Sequence, residues 1–308
     1  MKRSLQAALL GCGLLTAMGA SPSRAESPAC AGLQTRWDAT KADLQTPQVS
    51  ALLFAAADNG CPKVAETLLA AGALIEAKDR FGNTPLGHAA RAGQVEMLQT
   101  LLAHGADIGH RNLGGSSALF LAIERHQPAA AAFLLAHGAD PGQPGRSGAT
   151  PLAAAAFVGD DATTELLLAH HADPNTPDST GKPPIVYAAG NADLAIVTRL
   201  LASGVAVNAR YNNDLTALMW AAGYADNATE ADGIAVVTYL LDHGAKVDDI
   251  DNRGHTALMI AAERGHAAIA KLLLARGANP AIKSQDGKTA RDLATQPDVK
   301  QVFPAPPG

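Results

Sequence analysis

Leucine pairs punctuate the chain at a fixed distance. They stand at Leu68-Leu69, Leu101-Leu102, Leu134-Leu135, Leu167-Leu168, Leu200-Leu201, Leu240-Leu241 and Leu273-Leu274, with steps of 33, 33, 33, 33, 40 and 33 residues. The stretch LLAHGAD is written letter for letter at 101–107 and again at 134–140. Four positions after the first Leu of each pair comes Gly72, Gly105, Gly138, Gly204, Gly244 or Gly277, and only His171 breaks that column. Seventeen residues before the pair stand Thr84, Ser117, Thr150 and Thr256, each followed by Pro or Ala and then Leu. Thr216 stands 24 residues before its pair, because that unit carries seven extra residues.

Each column has a physical reason. A Thr or Ser hydroxyl can accept from an orphan backbone N–H at a helix start. Proline at the next position loses no helical hydrogen bond and pre-sets φ. Ala-Ala pairs such as Ala89-Ala90 and Ala221-Ala222 keep the first helix thin, so that a neighbour packs close. The Leu pair supplies the buried face of a second helix, and the following glycine ends it in a left-handed conformation. Asp79-Arg80-Phe81-Gly82-Asn83 reads as a turn. The repeating unit is therefore turn, helix, short turn, helix, loop. One such unit cannot bury its apolar face alone, whereas a stack buries a continuous core.

The units GNTPLGHAARAGQVEMLQTLLAHGADI (82–108) and GHTALMIAAERGHAAIAKLLLARGANP (254–280) resemble ankyrin repeats, a family with a 33-residue period and a T-P-L-H-x-A core. The resemblance runs from about Val49 to Val302. Departures leave the register intact: Pro183-Pro184 and Ser117-Ala118 replace Thr-Pro, and Gly87 stands where the family has His. The resemblance implies an all-α solenoid of stacked helix-turn-helix units with short β-hairpin-like turns. About seven repeats and a partial C-terminal cap are expected over 49–302. Leu33, Trp37 and Leu44, spaced at 4 and 7, predict a capping helix within 26–48 with Trp37 in the core. Residues 303–308, FPAPPG, are expected to be a disordered tail.

The first 25 residues read differently. Lys2 and Arg3 precede an apolar run from Ala7 to Ala17, and Ser23-x-Ala25 fits a small-residue cleavage pattern. This is the pattern of a secretory signal peptide cut after Ala25, with a cut near Ala20 as the alternative. A lipoprotein reading through Cys12 is disfavoured, because the apolar run before it is short and continues past it. The run is shorter than the ~20 apolar residues of a membrane span. Localisation is thus expected to be periplasmic or secreted, without membrane attachment after cleavage. Cleavage removes three basic residues and no acid, taking 24 basic and 29 acidic residues to 21 and 29, a net −8. That balance argues against nucleic acid as a partner. In an oxidising compartment Cys30 and Cys61 suggest a disulfide between the N-terminal segment and the first repeat, worth ~2–4 kcal/mol. Two free buried thiols are the alternative.

The chemistry-bearing residue types form no catalytic constellation: HExxH, P-loop, GxSxG and strand-linked GxGxxG motifs are all absent. The chain is read as non-enzymatic and without cofactor. His104, His137, His170 and His243 share one repeat position, and His170 adjoins His171. A periplasmic metal-handling protein using these residues is the alternative function. Zinc–nitrogen bonds of ~2.0–2.1 Å are hard to reconcile with positions one helix spacing, ~8–10 Å, apart. A histidine at a helix C-terminus also favours the negative end of the dipole. The insertion, Ala225 to Gly233, carries Asp226, Glu230 and Asp232 without calcium-loop spacing and reads as a solvated loop. An enzymatic site built there with the N-terminal segment has no motif behind it.

What remains is a surface. The resemblance implies that a protein partner meets turn tips and the exposed side of the first helices. The tips hold Arg80, Phe81, Leu113, Arg146, Asn212 and Arg253; the helix ends hold Arg91, Glu124, Arg125, Phe157, Tyr224, Glu263 and Arg264. Ten of these are the expected contacts: Arg80, Phe81, Arg91, Leu113, Arg125, Arg146, Phe157, Tyr224, Arg253 and Arg264. Aromatic residues make up only 4% of the chain, so those on this face stand out as candidate anchors. Trp220 and Tyr187 are assigned to the core. The expected function is a monomeric, periplasmic, non-catalytic module that binds one folded protein.

Overall fold

A computed structural model describes residues 27–224 and 228–303. The expected leader, the first three residues of the insertion and the tail beyond Phe303 lie outside the described residues. Helix α1 (Pro28–Thr40) precedes seven helix pairs. The pairs are α2 (Thr46–Asn59) with α3 (Pro62–Ala70), α4 (Pro85–Arg91) with α5 (Val95–Ala103), and α6 (Ala118–Glu124) with α7 (Pro128–Ala136). Then come α8 (Pro151–Val158) with α9 (Asp161–Ala169), and α10 (Pro184–Gly190) with α11 (Leu194–Ala202). The last full pairs are α12 (Ala217–Ala222) with α13 (Glu230–Asp242) and α14 (Ala257–Arg264) with α15 (Ala267–Ala275). Short helices α16 (Ala290–Leu293) and α17 (Pro297–Lys300) close the array. First helices stack on first helices and second on second, giving a two-layer solenoid.

The columns seen in the sequence do the work assigned to them. Thr84, Ser117, Thr150, Thr216, Thr256 and Thr289 each accept a backbone N–H three residues on. Pro183, which has no hydroxyl, starts α10 without a side-chain cap. The first Leu of every pair, from Leu68 to Leu273, is fully buried. Truncating one of them to Ala costs ~2–5 kcal/mol. The glycines after the pairs adopt φ of 86° to 95°, and His171 is forced to φ 64° at the same place. A side chain in that left-handed region costs about 1 kcal/mol.

The turns between pairs are hairpin-like, although the described residues contain no strand. Each tip closes on itself, as in Asp79 N–H to the Asn83 carbonyl (3.0 Å) and Asp251 N–H to that of His255 (2.9 Å). Tips also bond along the array: Leu113 N–H donates to Phe81 O (2.9 Å) and Asn252 N–H to Asn213 O (3.0 Å).

At the N-terminal end α1 packs on α2 and α3 and buries Trp37. The sulfurs of Cys30 and Cys61 lie at 2.05 Å, with their Cα atoms 5.3 Å apart. Two boundaries differ from expectation. Glu230–Gly233, read as loop, forms the first turn of α13, where Thr229 and Asp232 cap each other reciprocally. This makes α13 13 residues long, against nine for the other second helices. Phe303, read as tail, is buried, and its carbonyl accepts from Arg291 (3.2 Å).

Candidate functional site

The exposed side of the first helices carries two rows of side chains, set by distance from the cap. Four residues past it stand His88, Leu121, Ala154, Tyr187, Trp220 and Ile260. Seven past it stand Arg91, Glu124, Phe157, Gly190, Gly223 and Glu263, with Asp58 in the equivalent place on α2. Two side chains of the second row reach the first-row residue of the next repeat. Asp58 Oδ1 lies 3.0 Å from His88 Nδ1. The Phe157 ring meets that of Tyr187 edge-on at 5.7 Å. Cβ atoms built on Gly190 and Gly223 would fall 3.7 Å from Trp220 and 2.8 Å from Ile260.

The N-terminal half of this face is closed by charge. His88 is buried, with Asp58 on Nδ1 and Asp79 Oδ2 on Nε2 at 3.1 Å. Each ring nitrogen of His88 thus faces a carboxylate oxygen from a different repeat. Arg91 adds a contact to Asp58 at 3.3 Å. Burial raises the pKa of Asp58, but the bonds and charges of His88 and Arg91 outweigh it and leave the carboxyl below its ordinary value. Asp79 behaves alike: burial raises it, and bonds from Asn83, Phe81 N–H and His88 bring it below.

The C-terminal half is aromatic. Phe157 is 62% exposed, Tyr187 and Trp220 are half-buried, and the Lys182 ammonium lies 5.1 Å from the Trp220 ring centroid. The Tyr187 hydroxyl donates to Asp178, and burial together with that carboxylate pushes its pKa up to about 12. Asp178 is raised by burial and lowered further by Tyr187, Lys182 N–H and Thr180, so that it ends below its ordinary value. Nine residues separate Asp79 from His88 and Asp178 from Tyr187; the same offset joins Tyr211 to Trp220. There the Tyr211 hydroxyl and Trp220 Nε1 are buried without a hydrogen-bond partner among the described residues. Burial also pushes the Tyr211 pKa up to about 12.

The expected contact residues scatter over this geometry. Phe81 (54% exposed) and Leu113 (83%) sit on neighbouring tips, with the Arg80 guanidinium 4.6 Å from the Phe81 ring centroid. Phe157 lies on the inner face, and Arg125, Arg146 and Arg264 are exposed. Arg91 is turned to Asp58, and Arg253 grips Asp251 at 2.8 Å. Tyr224 does not belong with them. It is buried, stacked on His266 at 4.0 Å, and fills the space left by Gly233, where a Cβ would stand 2.5 Å from its ring. The extra turn of α13 creates that niche, so Tyr224 anchors the insertion. Tyr187 and Trp220, assigned to the core, are instead half-exposed on the inner face. Their row gave the signal: two residues before each stands an aliphatic in every repeat, whereas the row itself runs His, Leu, Ala, Tyr, Trp, Ile. A position that varies so widely within one chain is not set by a common core.

The histidine column serves its own helices. His104, His137 and His243 each place Nδ1 at 2.7–2.9 Å from the carbonyl four residues back. Among the described residues, no three His, Cys, Asp or Glu side chains gather as a metal site would require. No helix among them is long and apolar enough to cross a membrane.

Comparison with known proteins supports the repeat reading. The family model described as "Ankyrin repeats (3 copies)" matches residues 52–145, 119–211, 151–231 and 185–286. The chain is 46% identical over 65 residues to the E3 ubiquitin-protein ligase hecd-1 of Caenorhabditis elegans, covering 20% of this chain and 2% of that protein. It is 45% identical over 56 residues to a putative ankyrin repeat-containing protein of Treponema pallidum (strain Nichols), covering 18% of this chain and 19% of that one. The chain thus spans a small part of either relative.

Proposed function

Because this chain belongs to the ankyrin repeat family, whose repeats are protein-interaction modules, we propose that it acts as a non-catalytic, monomeric binding module exported to the periplasm. It meets one folded partner through its turn tips and first-helix face. The observation that carries this reading is the exposure of Phe81, Leu113 and Phe157 on that surface. Exposed apolar patches on a folded protein mark interaction sites. The solenoid presents them on a stacked frame, so little ordering entropy opposes association. In this reading the first 25 residues direct export, and the Cys30–Cys61 pair is oxidised in the periplasm.

Affinity capture from a periplasmic extract, with the wild-type protein beside Phe81→Ala/Phe157→Ala, tests the binding role. Retention of a partner by the first and its loss by the second supports the surface. Equal retention by both moves the site elsewhere. Expression of the precursor in a Gram-negative host, followed by N-terminal sequencing of the periplasmic fraction, tests export. A mature start at Glu26 is the expected result, and an uncleaved cytoplasmic chain would contradict it.

A further inference from the structure

We propose that the Cys30–Cys61 bridge is a thiol-exchange site. A low-molecular-weight thiol enters the cavity beside it, is captured on Cys30 as a mixed disulfide, and frees the first turns of α1 from the array. This rests on the reading above that the pair is oxidised, and gives that pair a chemistry of its own.

The bridge is reachable in the folded chain. A cavity of about 470 Å³ lies where α1, the α2–α3 corner and the start of α5 meet, and both cysteines line it beside Gly60, Lys63, Gln94 and Glu96. Clefts of ~300–1,000 Å³ hold small organic molecules. A bridge sealed inside a core is met by solvent thiols only when the domain unfolds, whereas this one forms part of a cavity wall. Lys63 and Glu96 are both exposed and opposite in sign, so side-chain charge there cancels and selection falls on the sulfur.

The surroundings also favour the leaving sulfur. Thiolates are stabilised at helix N-termini. Cys61 is the N-cap of the nine-residue α3, and its side chain accepts no backbone N–H, so the capping role is open to a thiolate. Cys30 stands in the first turn of the 13-residue α1, three residues past the Ser27 cap. Two helix N-termini therefore converge on one sulfur pair. Cys30 is the more exposed of the two, 6% against 2%, which makes it the sulfur attacked. The incoming thiolate forms an S–S bond to Cys30, the Cys30–Cys61 bond breaks, and its electron pair leaves on Cys61. One disulfide is exchanged for another, and no external oxidant takes part.

The exchange loosens α1 alone. The buried side chains of α1 are Cys30 and Trp37, seven residues apart on one side of the helix. Cys61 is tied to the array independently, its N–H donating to Ala56 O at 3.0 Å. The adduct is thus left on a helix whose remaining buried anchor is Trp37.

The test treats the chain purified from a periplasmic fraction with reduced glutathione, without denaturant, and maps the acid-quenched product by peptide mass spectrometry. One glutathionyl group on Cys30 and a free thiol on Cys61 are expected. Their formation should be proportional to glutathione concentration and unchanged by low urea. Hydrogen exchange should rise over residues 28–36 and stay as it was from α4 onward. Glu96→Trp narrows the cavity from an exposed position and should slow capture about 10-fold, since exchange depends on access. In Cys30→Ala, iodoacetamide at about pH 6.5 should alkylate Cys61 about 10-fold faster than it alkylates glutathione. A rate that ignores glutathione concentration, or climbs steeply with urea, means that the bridge opens only by unfolding and overturns the proposal. So does an unchanged rate in folded Glu96→Trp, or an adduct on Cys61 with Cys30 free. If the purified chain carries two free thiols, the oxidised-pair reading fails and this inference with it. A bridge that is present but inert in the folded chain sinks this inference alone.

Discussion

The two halves of the inner face use one backbone for opposite ends. In the N-terminal repeats the rows are spent on each other: Asp58, His88, Asp79 and Arg91 satisfy one another across the repeat boundary. In the C-terminal repeats the same positions hold Phe157, Tyr187, Gly190, Trp220 and Gly223, and much of that surface is left uncommitted. Charges that pair internally add cohesion but offer little to a visitor. Exposed rings add little cohesion and offer much. Stability and recognition are thus divided along the solenoid, which is possible because each repeat contacts only its neighbours.

The largest test of that division lies at the N-terminal end. Replacing Cys30 and Cys61 with Ser should lower stability by about 3 kcal/mol. Hydrogen exchange should locate the loss in α1 to α3 and leave α10 to α14 protected; uniform loss would show that the halves unfold as one unit. Next, His88→Ala strands the partly buried carboxylates of Asp58 and Asp79 and should cost about 2 kcal/mol in chemical denaturation. Phe157→Ala should stay within about 0.5 kcal/mol of wild type. If those two costs were equal, the contrast would fail.

Acid sharpens the same comparison. Asp58 and Asp79 are held below their ordinary pKa in the folded chain. Their contribution is complete above the unfolded carboxyl value of ~3.9 and is lost as pH falls through the lower folded values. The aromatic half has one such carboxylate on its inner face, Asp178. Exchange protection should therefore fall earlier in α2 and α4 than in α10 as pH drops below 4, and Asp58→Asn should flatten the difference. Tyr187→Phe removes one of several donors to Asp178 and should cost about 1 kcal/mol. His171→Gly has the opposite sign: it relieves a left-handed side chain and should raise stability by up to about 1 kcal/mol.

The repeat register, the caps and the buried Leu of each pair were legible because each is a local rule written many times. Tyr224, Tyr187 and Trp220 were not, because their burial is decided by a neighbour. Tyr224 is covered by Gly233 and His266, across the one interruption of the period. Trp220 is uncovered because Gly190, one repeat earlier, has no side chain to lay over it. The His88 cluster was equally hidden, since Asp58 and Asp79 come from different repeats and meet only when α2 and α4 stack.

The twice-written LLAHGAD also makes the array a ruler that can be shortened. Excising residues 101–133 joins Thr100 to Leu134 and restores the same seven residues at the seam, with no foreign junction. The product would carry Phe157 one layer nearer to Arg91, losing Leu113, Leu121 and Glu124 but keeping the His88 cluster and the aromatic half. Any partner that spans the two halves would feel that change as a distance, and a partner seated on one half alone would not.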